Sequence, residues 1–331
     1  MRFALTGWVL DRNPASVALE VHTHGQGFAQ AQEWLCIKQQ QETALIPPAF
    51  DYHAPKSVGE AISLLGSLGP DAKLLAGGHS LLPMMKLRFA QPSHLIDINR
   101  IPELRGVRED GAEVVIGAMT VESALILNPI LQAKVPLLAE APKLIADPQV
   151  RNRGTIGGDI AHGDPGNDHP AISLALDASF ELQGPKGKRT VKADDFFLGT
   201  YMTALAEDEI LVAIRVPAFA PGTGWAYEKL KRKTGDWATA GAAVVMRMSG
   251  GKVSHVRIAL TNVAPMAIRA PAAEAALMGQ AVNAQTLDAA AKAAMAVCDP
   301  AEDLRGDIAY KTAMAGQMVK RAVAAAVARC A

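Results

Sequence analysis

Two short glycine-rich segments constrain this chain more than any other feature of its sequence. The first reads Ala76-Gly77-Gly78-His79-Ser80, and the second reads Thr155-Ile156-Gly157-Gly158-Asp159. A Gly-Gly pair has no Cβ atom to hold a ligand away, and it permits positive φ, so successive amide N–H groups can converge on one anion. Two such loops suggest a ligand with two phosphates. The pattern is that of a clamp for a dinucleotide pyrophosphate.

The residues around each loop favour the same interpretation. Residues 73–76 suit a buried strand, and residues 81–86 suit the start of a helix with Ser80 near its N-cap, where a hydroxyl and the positive helix end would face the anion. Arg151 and Arg153 would add positive potential to the second loop. Each loop taken alone is also typical of an ordinary turn. Neither contains the Gly-x-Gly-x-x-Gly pattern of a Rossmann site.

Composition limits the class of protein without identifying it. A chain of 331 residues that is 50% hydrophobic can bury a substantial core and predicts two domains. Its 33 basic and 33 acidic residues balance, which leaves no net field to attract nucleic acid. No apolar run reaches the roughly 18 residues that a transmembrane helix needs. Cys36, Cys298 and Cys330 are far apart, which favours a reducing, cytoplasmic location and excludes a four-thiolate iron–sulfur cluster.

The N-terminal segment differs from the rest of the chain. Residues 3–10 are apolar but lack a small-residue cleavage site, which argues against a signal peptide. The Gln-rich residues 26–41 have no sustained helical or strand period. We expect residues 1–45 to be an extension that the fold does not need.

Beyond this segment, helical and strand patterns alternate. Ser57 caps a predicted helix that ends at Leu68; strands are predicted over residues 95–98 and 114–117, and helices over residues 121–131 and 137–146. Residues 217–222 are rich in Pro and Gly and predict a domain linker. Residues 242–248 and 253–260 predict a hairpin, and Met and Val residues over 314–327 recur at helical spacing as core. This mixture indicates an α+β fold.

Four motifs, taken in order, resemble one known family. They are the first loop continued through Leu81-Leu82-Pro83, the segment Arg151-Asn152-Arg153-Gly154 with the second loop, the pattern Asp164-Pro165-x-x-Asp168-x-Pro170, and residues 227–238, Tyr-Glu-Lys-Leu-Lys-Arg-Lys-Thr-Gly-Asp-Trp-Ala. Together they resemble the FAD-binding medium subunit of molybdenum hydroxylases, the carbon monoxide dehydrogenase and xanthine dehydrogenase family. The resemblance runs from about Ile46 to about Ala328.

This resemblance implies a fold and a division into domains. The implied fold is α+β, with a two-part FAD-binding domain of the vanillyl-alcohol-oxidase-like (PCMH) type followed by a small α+β C-terminal domain. The expected FAD-binding domain covers residues 46–221, with subdomains of about 46–100 and 101–221, and the C-terminal domain covers residues 222–331.

The resemblance also assigns residues to a non-covalent FAD site. Asp168 would lie against the ribityl and flavin portion, Lys229 would reach the cofactor, and Trp237 would cover the isoalloxazine ring. Ile145 and Leu211 would flank that ring. The implied cofactor-binding residues are Leu74, Leu75, Ala76, Gly77, Gly78, His79, Ser80, Leu81, Ile145, Thr155, Ile156, Gly157, Gly158, Asp159, Asp168, Leu211, Lys229 and Trp237.

Several of these residues also fit plainer roles. Asp168 fits a turn cap, Ile145 and Leu211 fit ordinary core, and Lys229 lies in a basic run of the kind that usually faces solvent. Asp159 stands where many family members have Asn or Ser, and its carboxylate would repel a diphosphate unless it faces away or meets an arginine. No metal site is expected, since neither His79 nor His162 has a second ligand at suitable spacing.

The resemblance implies a role in electron transfer, with no catalytic residue of its own. A molybdopterin-binding large subunit and an iron–sulfur small subunit are the implied partners, in a dimer of heterotrimers. Two other classes stay open. One is a stand-alone FAD oxidoreductase of the same fold, in which His79 is the candidate for covalent flavin attachment. The other is a non-catalytic assembly subunit. A releasable yellow flavin, an attached flavin and a colourless protein distinguish the three.

Overall fold

The first layer contains a small parallel sheet. The computed structural model describes residues 46–330, so the prediction for residues 1–45 lies outside the described part. In chain order this layer comprises β1 (Asp51–His53), α1 (Val58–Leu68), β2 (Ala72–Leu75), α2 (Leu81–Lys86) and β3 (His94–Asp97), with 3-10 turns at Gly69–Asp71, Ile98–Arg100 and Pro102–Leu104. The strand order is β1-β3-β2. Ser57 accepts the amide of Glu60 at 3.2 Å, which confirms the predicted cap of α1.

The second layer is a five-stranded antiparallel sheet with helices inserted in its sequence. Its elements are β4 (Val107–Asp110), β5 (Glu113–Gly117), α3 (Glu122–Leu127), α4 (Pro129–Lys134), α5 (Leu137–Glu140), α6 (Pro148–Arg151), α7 (Ile156–His162), α8 (Asp168–Ala175), β6 (Ser179–Gly184), β7 (Gly187–Lys192), β8 (Phe197–Gly199), β9 (Met202–Thr203) and β10 (Ile210–Pro217), with 3-10 turns at Ala141–Leu144 and Ala193–Asp195. The sheet order is β4-β5-β10-β6-β7, and β8 pairs with β9 separately. The strand predicted over 114–117 is confirmed as β5.

Prolines divide the helices that were predicted over residues 121–131 and 137–146, so both predictions were wrong in length. Asn128 ends α3 and accepts the amides of Ile130 and Leu131, while Pro129 starts α4. Pro142 lies in the 3-10 turn that follows α5. Proline has no amide hydrogen and its ring clashes with the preceding turn, which disfavours a continuous helix, and here the helix is interrupted at both positions.

The third layer is a four-stranded antiparallel sheet backed by helices. It contains β11 (Thr223–Leu230), β12 (Ala240–Ser249), β13 (Lys252–Thr261), β14 (Ile268–Arg269), α9 (Pro271–Leu277), α10 (Ala284–Met295) and α11 (Ile308–Val327). Gly250 and Gly251 have φ of 57° and 74°, as a two-residue hairpin turn requires, so the predicted hairpin is confirmed. The helical core pattern is also confirmed, since Met318, Val319 and Val323 are buried in α11.

Both faces of this third sheet are buried. Side chains alternate along β12, so Ala243 and Val245 join the core of the second layer, whereas Val244 and Met246 join the core under α11. Helix α8 lies between the second and third layers and is buried at every position, including Asp168. The α+β class predicted from the sequence is confirmed, and this buried helix carries polar residues into the interior.

Candidate functional site

The structure brings the two glycine loops into direct contact. The first loop connects β2 to α2, and the second leads into α7. A Cβ atom on Gly77 would lie 2.4 Å from the carbonyl oxygen of Arg153 and 2.9 Å from the Cα of Gly154. A Cβ on Gly158 would lie 3.4 Å from the Cβ of Ala76. The missing side chain of Gly77 is therefore what allows the two backbones to meet.

The first loop offers a run of unpaired amides. Within the described residues, the amide N–H groups of residues 77–81 donate no hydrogen bond. Gly78 has φ of +77°, as the glycine pattern predicts. Asn99 holds the loop by donating to the carbonyl of Ala76 at 2.7 Å, and the His79 imidazole lies 2.9 Å from the carbonyl of Gly77. Ser80 occupies the N-cap of α2, but its hydroxyl makes no capping bond. This arrangement matches an anion-binding nest.

The second loop is not a source of free amides, contrary to the sequence interpretation. Residues from Ile156 onward form α7, and Thr155 is its N-cap, accepting the amide of Gly158 at 3.2 Å. The amides of Ile156 and Gly157 donate to the carbonyls of Thr120 and Ala118. The amide of Asp159 donates to Thr155 at 3.0 Å. The helix and the neighbouring segment therefore use these donors internally.

Gly157 serves packing. A Cβ at this position would lie 2.4 Å from the Cβ and 2.6 Å from the carbonyl oxygen of Ala118. A valine at Gly157 would therefore clash with the backbone of Ala118 in the core and would destabilise the fold itself.

A second polar group forms where β11 passes α8. Lys229 and Asp168 make an ion pair of 2.6 Å, and their side chains are 2% and 4% exposed. Tyr227, two residues before Lys229 on the same strand, donates to the other oxygen of Asp168 and lies 3.1 Å from the hydroxyl of Thr261. Burial and the neighbouring Asp168 raise the pKa of Tyr227 well above its ordinary value, so the phenol remains a donor.

The segment 144–146 is surrounded by cations. The carbonyl of Leu144 accepts from Lys231 at 3.0 Å and from Lys229 at 3.5 Å. The Arg151 guanidinium donates to the carbonyl of Ile145 at 2.8 Å. Burial, and then repulsion from Lys229, lower the pKa of Lys231. Ile145 thus lies half-buried beside three positive side chains, of which Lys229 is paired with Asp168, so that the positive field comes mainly from Lys231 and Arg151.

The remaining predicted residues occupy different environments. Leu74 and Leu75 end β2, and Leu81 begins α2, beside the first loop. Leu211 is 4% exposed and belongs to the core around β10. Trp237 is 50% exposed, and a Cβ on Gly166 would lie 3.0 Å from its Cδ1 atom, which links Trp237 to the loop that precedes Asp168.

A buried ion pair joins the second loop to α8. His169 Nε2 lies 2.8 Å from a carboxylate oxygen of Glu122, and both side chains are almost fully buried. The amide of Glu122 donates to the carbonyl of Gly154 at 3.0 Å. Although burial lowers the pKa of His169, attraction to Glu122 outweighs burial and raises this pKa to about 9. The Nδ1 atom of His169 has no hydrogen-bond partner in the described residues.

Asp159 faces the Glu122–His169 pair and pairs with neither Arg151 nor Arg153. Its carboxylate accepts the amide of His169 at 3.2 Å. Burial raises the pKa of Asp159 to about 7, with a further contribution from Glu122. Among the described residues the side chain of Arg153 has no ion-pair partner, so its charge is available beside the contact of the two loops.

These features fit a dinucleotide in several respects. The unpaired amides of residues 77–81 suit phosphate oxygens, and the close backbone approach at Gly77 shapes a cradle that any side chain would fill.

The sequence interpretation missed Tyr227, Glu122, His169, Lys231 and Asn99. Tyr227 had a signal, because it lies on the same strand face as Lys229; the others depend on contacts between distant segments.

Two further findings concern the same part of the chain. None of the described helices has the length and hydrophobicity for a bilayer crossing. Within residues 46–330, no group of three or more His, Cys, Asp or Glu side chains is placed to hold a metal ion.

Comparison with known proteins matches almost all of the described chain. The profile of the FAD-binding domain in molybdopterin dehydrogenase matches residues 48–219, and that of the CO dehydrogenase flavoprotein C-terminal domain matches residues 225–326. The carbon monoxide dehydrogenase medium chain of Hydrogenophaga pseudoflava is 75% identical over 287 residues, covering 87% of this chain and 100% of the relative. The medium chain from Afipia carboxidovorans is 53% identical, covering 86% of this chain and 99% of the relative.

A solved structure agrees with these sequence matches. A chain of carbon monoxide dehydrogenase from Hydrogenophaga pseudoflava, in a form that lacks the Mo-pyranopterin moiety of the molybdenum cofactor, superposes with a TM-score of 0.86 at 78% identity. The superposition covers 86% of this chain and 100% of that one.

Proposed function

Because this chain belongs to the FAD-binding subunits of the molybdenum hydroxylases, the family of carbon monoxide and xanthine dehydrogenases, we propose that it is the electron-transfer subunit of such a complex. In this role it takes electrons from iron–sulfur clusters of a partner subunit and passes them to an external acceptor. Bound FAD supplies this chemistry, since a flavin accepts electrons singly and delivers them as a pair. The protein supplies binding, orientation and electrostatics.

One observation carries the proposal: the two glycine loops meet at Gly77 beside the unpaired amides of residues 77–81. These amides would hold the pyrophosphate, with residues 155–159 packed beside them. Asp168 and Lys229 would bind the ribityl and flavin portion. Ile145, Leu211 and Trp237 would flank the ring.

The cations around residues 144–146 have a defined role in this proposal. Lys229, Lys231 and Arg151 gather at the carbonyls of this segment. Their field favours negative charge on a neighbouring ring system, which is how a protein tunes the electronics of a bound flavin.

The proposal includes partners and location. The chain works with a molybdopterin-binding large subunit and an iron–sulfur small subunit, as a dimer of heterotrimers in the cytoplasm. The free Cys298 and Cys330 of the described part offer too few thiolates for a cluster, so the electrons come from another chain. Identity of 75% and 53% to carbon monoxide dehydrogenase medium chains supports carbon monoxide as the substrate of the complex.

The test compares the isolated chain with the assembled complex. The purified full chain is expected to bind FAD that acid or heat releases, and to leave this flavin oxidised when carbon monoxide is added. Co-expression with the two partner subunits is expected to make carbon monoxide bleach the flavin absorbance. Turnover of carbon monoxide or of a purine by the isolated chain would overturn the proposal in favour of a stand-alone oxidoreductase, as would a covalently attached flavin. A protein that binds no flavin would favour an assembly role.

A further inference from the structure

The loop of residues 301–307, between α10 and α11, is held by an unusual set of polar contacts. Asp303 and Gly306 exchange two backbone hydrogen bonds, and the Asp303 carboxylate accepts the amide of Arg305 at 2.8 Å. Lys311, whose side chain is 2% exposed, donates to the carbonyl of Ala301 at 2.8 Å and lies 3.0 Å from Asp303. Burial of an ammonium group is costly unless it is paired. Because Lys311 is buried and bonds both Ala301 and Asp303, it holds this surface loop in one defined conformation.

This loop delivers Arg305 to the turn that carries Trp237. The Arg305 guanidinium donates to one oxygen of Asp236 at 2.9 and 3.2 Å, and its Cζ lies 5.5 Å from the centroid of the Trp237 ring. The same Asp236 oxygen accepts the amide of Trp237 at 3.0 Å. One carboxylate oxygen thus fixes the Trp237 backbone and the cation that covers its indole.

A second arginine ties the two segments together from the other side. Arg232 lies 2.9 Å from the remaining oxygen of Asp236 and donates to the carbonyl of Leu304 at 3.0 Å. Asp236 is 6% exposed, so both ion pairs are partly protected from water. The indole itself stays 50% exposed and approaches Gly166, two residues before Asp168. The guanidinium lies over the indole, and half of the Trp237 surface stays exposed, as contact with a planar ligand requires.

We propose that Arg305 is a positioning residue that fixes the Trp237 indole against the flavin ring, so that the 301–307 loop limits the access of water and small oxidants to the flavin. The inference has two halves, and the second half, in which Trp237 contacts and shields the flavin, rests on the proposed function. Its first half, the fixation of Trp237 by Arg305, concerns side chains of this chain alone.

The first half is tested without cofactor. Arg305→Met keeps an unbranched side chain about as long as the aliphatic stem of arginine and removes the guanidinium fork that bonds Asp236. Acrylamide quenching of Trp237, taken as the difference between each protein and the same protein with Trp237→Phe, is expected to increase about twofold in Arg305→Met, because the cation–π contact and the bond to Asp236 are lost. Arg305→Lys keeps the positive charge but not the guanidinium fork. Its Trp237 quenching is expected to lie between that of the parent and that of Arg305→Met.

Arg321→Met is the matched control. Arg321 is exposed on α11, and within residues 46–330 it makes no ion pair or side-chain hydrogen bond. Its loss is expected to leave Trp237 quenching at the parent value. Equal quenching in Arg305→Met and Arg321→Met would overturn the fixation of Trp237.

The second half is tested on the full chain loaded with FAD. A stacked indole quenches flavin emission, so this emission is expected to rise in Trp237→Phe and, by about half as much, in Arg305→Met. The rate at which oxygen reoxidises the reduced flavin is expected to rise in the same order. Unchanged emission and reoxidation in both variants would overturn the shielding. A chain that bound no FAD would overturn the proposed function and the shielding together, while apo quenching would still decide the fixation of Trp237.

Discussion

Glycines that look alike in the sequence do different work. Gly78 adopts φ of +77°, a conformation that side chains disfavour. Gly77 lets the first loop touch the backbone of Arg153, and Gly157 lets α7 pack on Ala118. Only the first two bear directly on the proposed phosphate site. A Gly-Gly pair therefore predicts that another group approaches the backbone closely, but only the tertiary structure shows which group this is.

Substitution of Gly77 by alanine tests the contact between the two loops. A Cβ 2.4 Å from the Arg153 carbonyl would force the loops apart, so FAD affinity is expected to fall at least about tenfold. Titration followed by flavin fluorescence measures this loss. The control is Gly66→Ala on α1, where nothing lies within 4 Å; it is expected to keep full affinity and to add about 0.5–1 kcal/mol of stability. Equal affinities in the two variants would contradict the role given to Gly77.

At the scale of elements, short helices are held by ion pairs as well as by apolar packing. Helices α3 and α8 are far apart in sequence, and the Glu122–His169 pair joins them in the interior. The same Glu122 carries the backbone bond to Gly154, next to the second loop. The ion pair thus connects that loop to the helix that begins with Asp168.

This ion pair predicts a pH dependence of stability. The pKa of His169 is raised to about 9 in the folded chain, against about 6.5 in the unfolded chain. The stabilisation that protonated His169 adds to the free energy of unfolding is therefore complete below about pH 6.5 and is lost as the pH rises through about 9. Asp159, whose pKa is raised to about 7, changes stability in the same direction but at lower pH. We expect urea denaturation of the apo chain to lose about 3 kcal/mol between pH 7 and pH 10 through His169.

Two variants isolate this contribution. His169→Gln removes the titrating group, and Glu122→Gln removes the charge that raises its pKa. Both are expected to lower stability at pH 7 and to flatten its decline toward pH 10 relative to the parent. A decline as steep as that of the parent in both variants would show that other groups cause it.

At the scale of the whole molecule, the two segments that match separate family profiles share one core. Residues of β11, β12 and β13 pack in the same apolar cluster as α8 and β6. The polar group of the proposed site is divided in the same way, because Asp168 comes from one segment and Lys229 from the other. Binding of one ligand at this group would therefore stabilise both segments.

This shared core predicts cooperative unfolding. Scanning calorimetry of the apo chain is expected to give one main transition for residues 46–330, and circular dichroism is expected to report the same midpoint. Excess FAD is expected to raise that midpoint, since the ligand binds only the folded state. Two resolved transitions, only one of which responds to FAD, would contradict the coupling.

The local elements of this protein follow from local rules that the sequence displays. The cap at Ser57, the hairpin at Gly250-Gly251 and the buried face of α11 depend on neighbouring residues, and each was predicted. The helices over residues 121–146 were predicted too long, although Pro129 and Pro142 gave the local signal for the breaks. The ordered motifs were also sufficient to identify the family.

Other features depend on contacts between segments far apart in the chain. The partner of Gly77, the internal bonding of the amides in α7, the Glu122–His169 pair and the position of Arg305 over Trp237 all belong to this group. Spacing along one chain does not reveal which distant backbone or charge will meet a given side chain. These long-range contacts form when the three layers pack against one another. Packing alone sets the distance and the burial on which the strength of each contact depends.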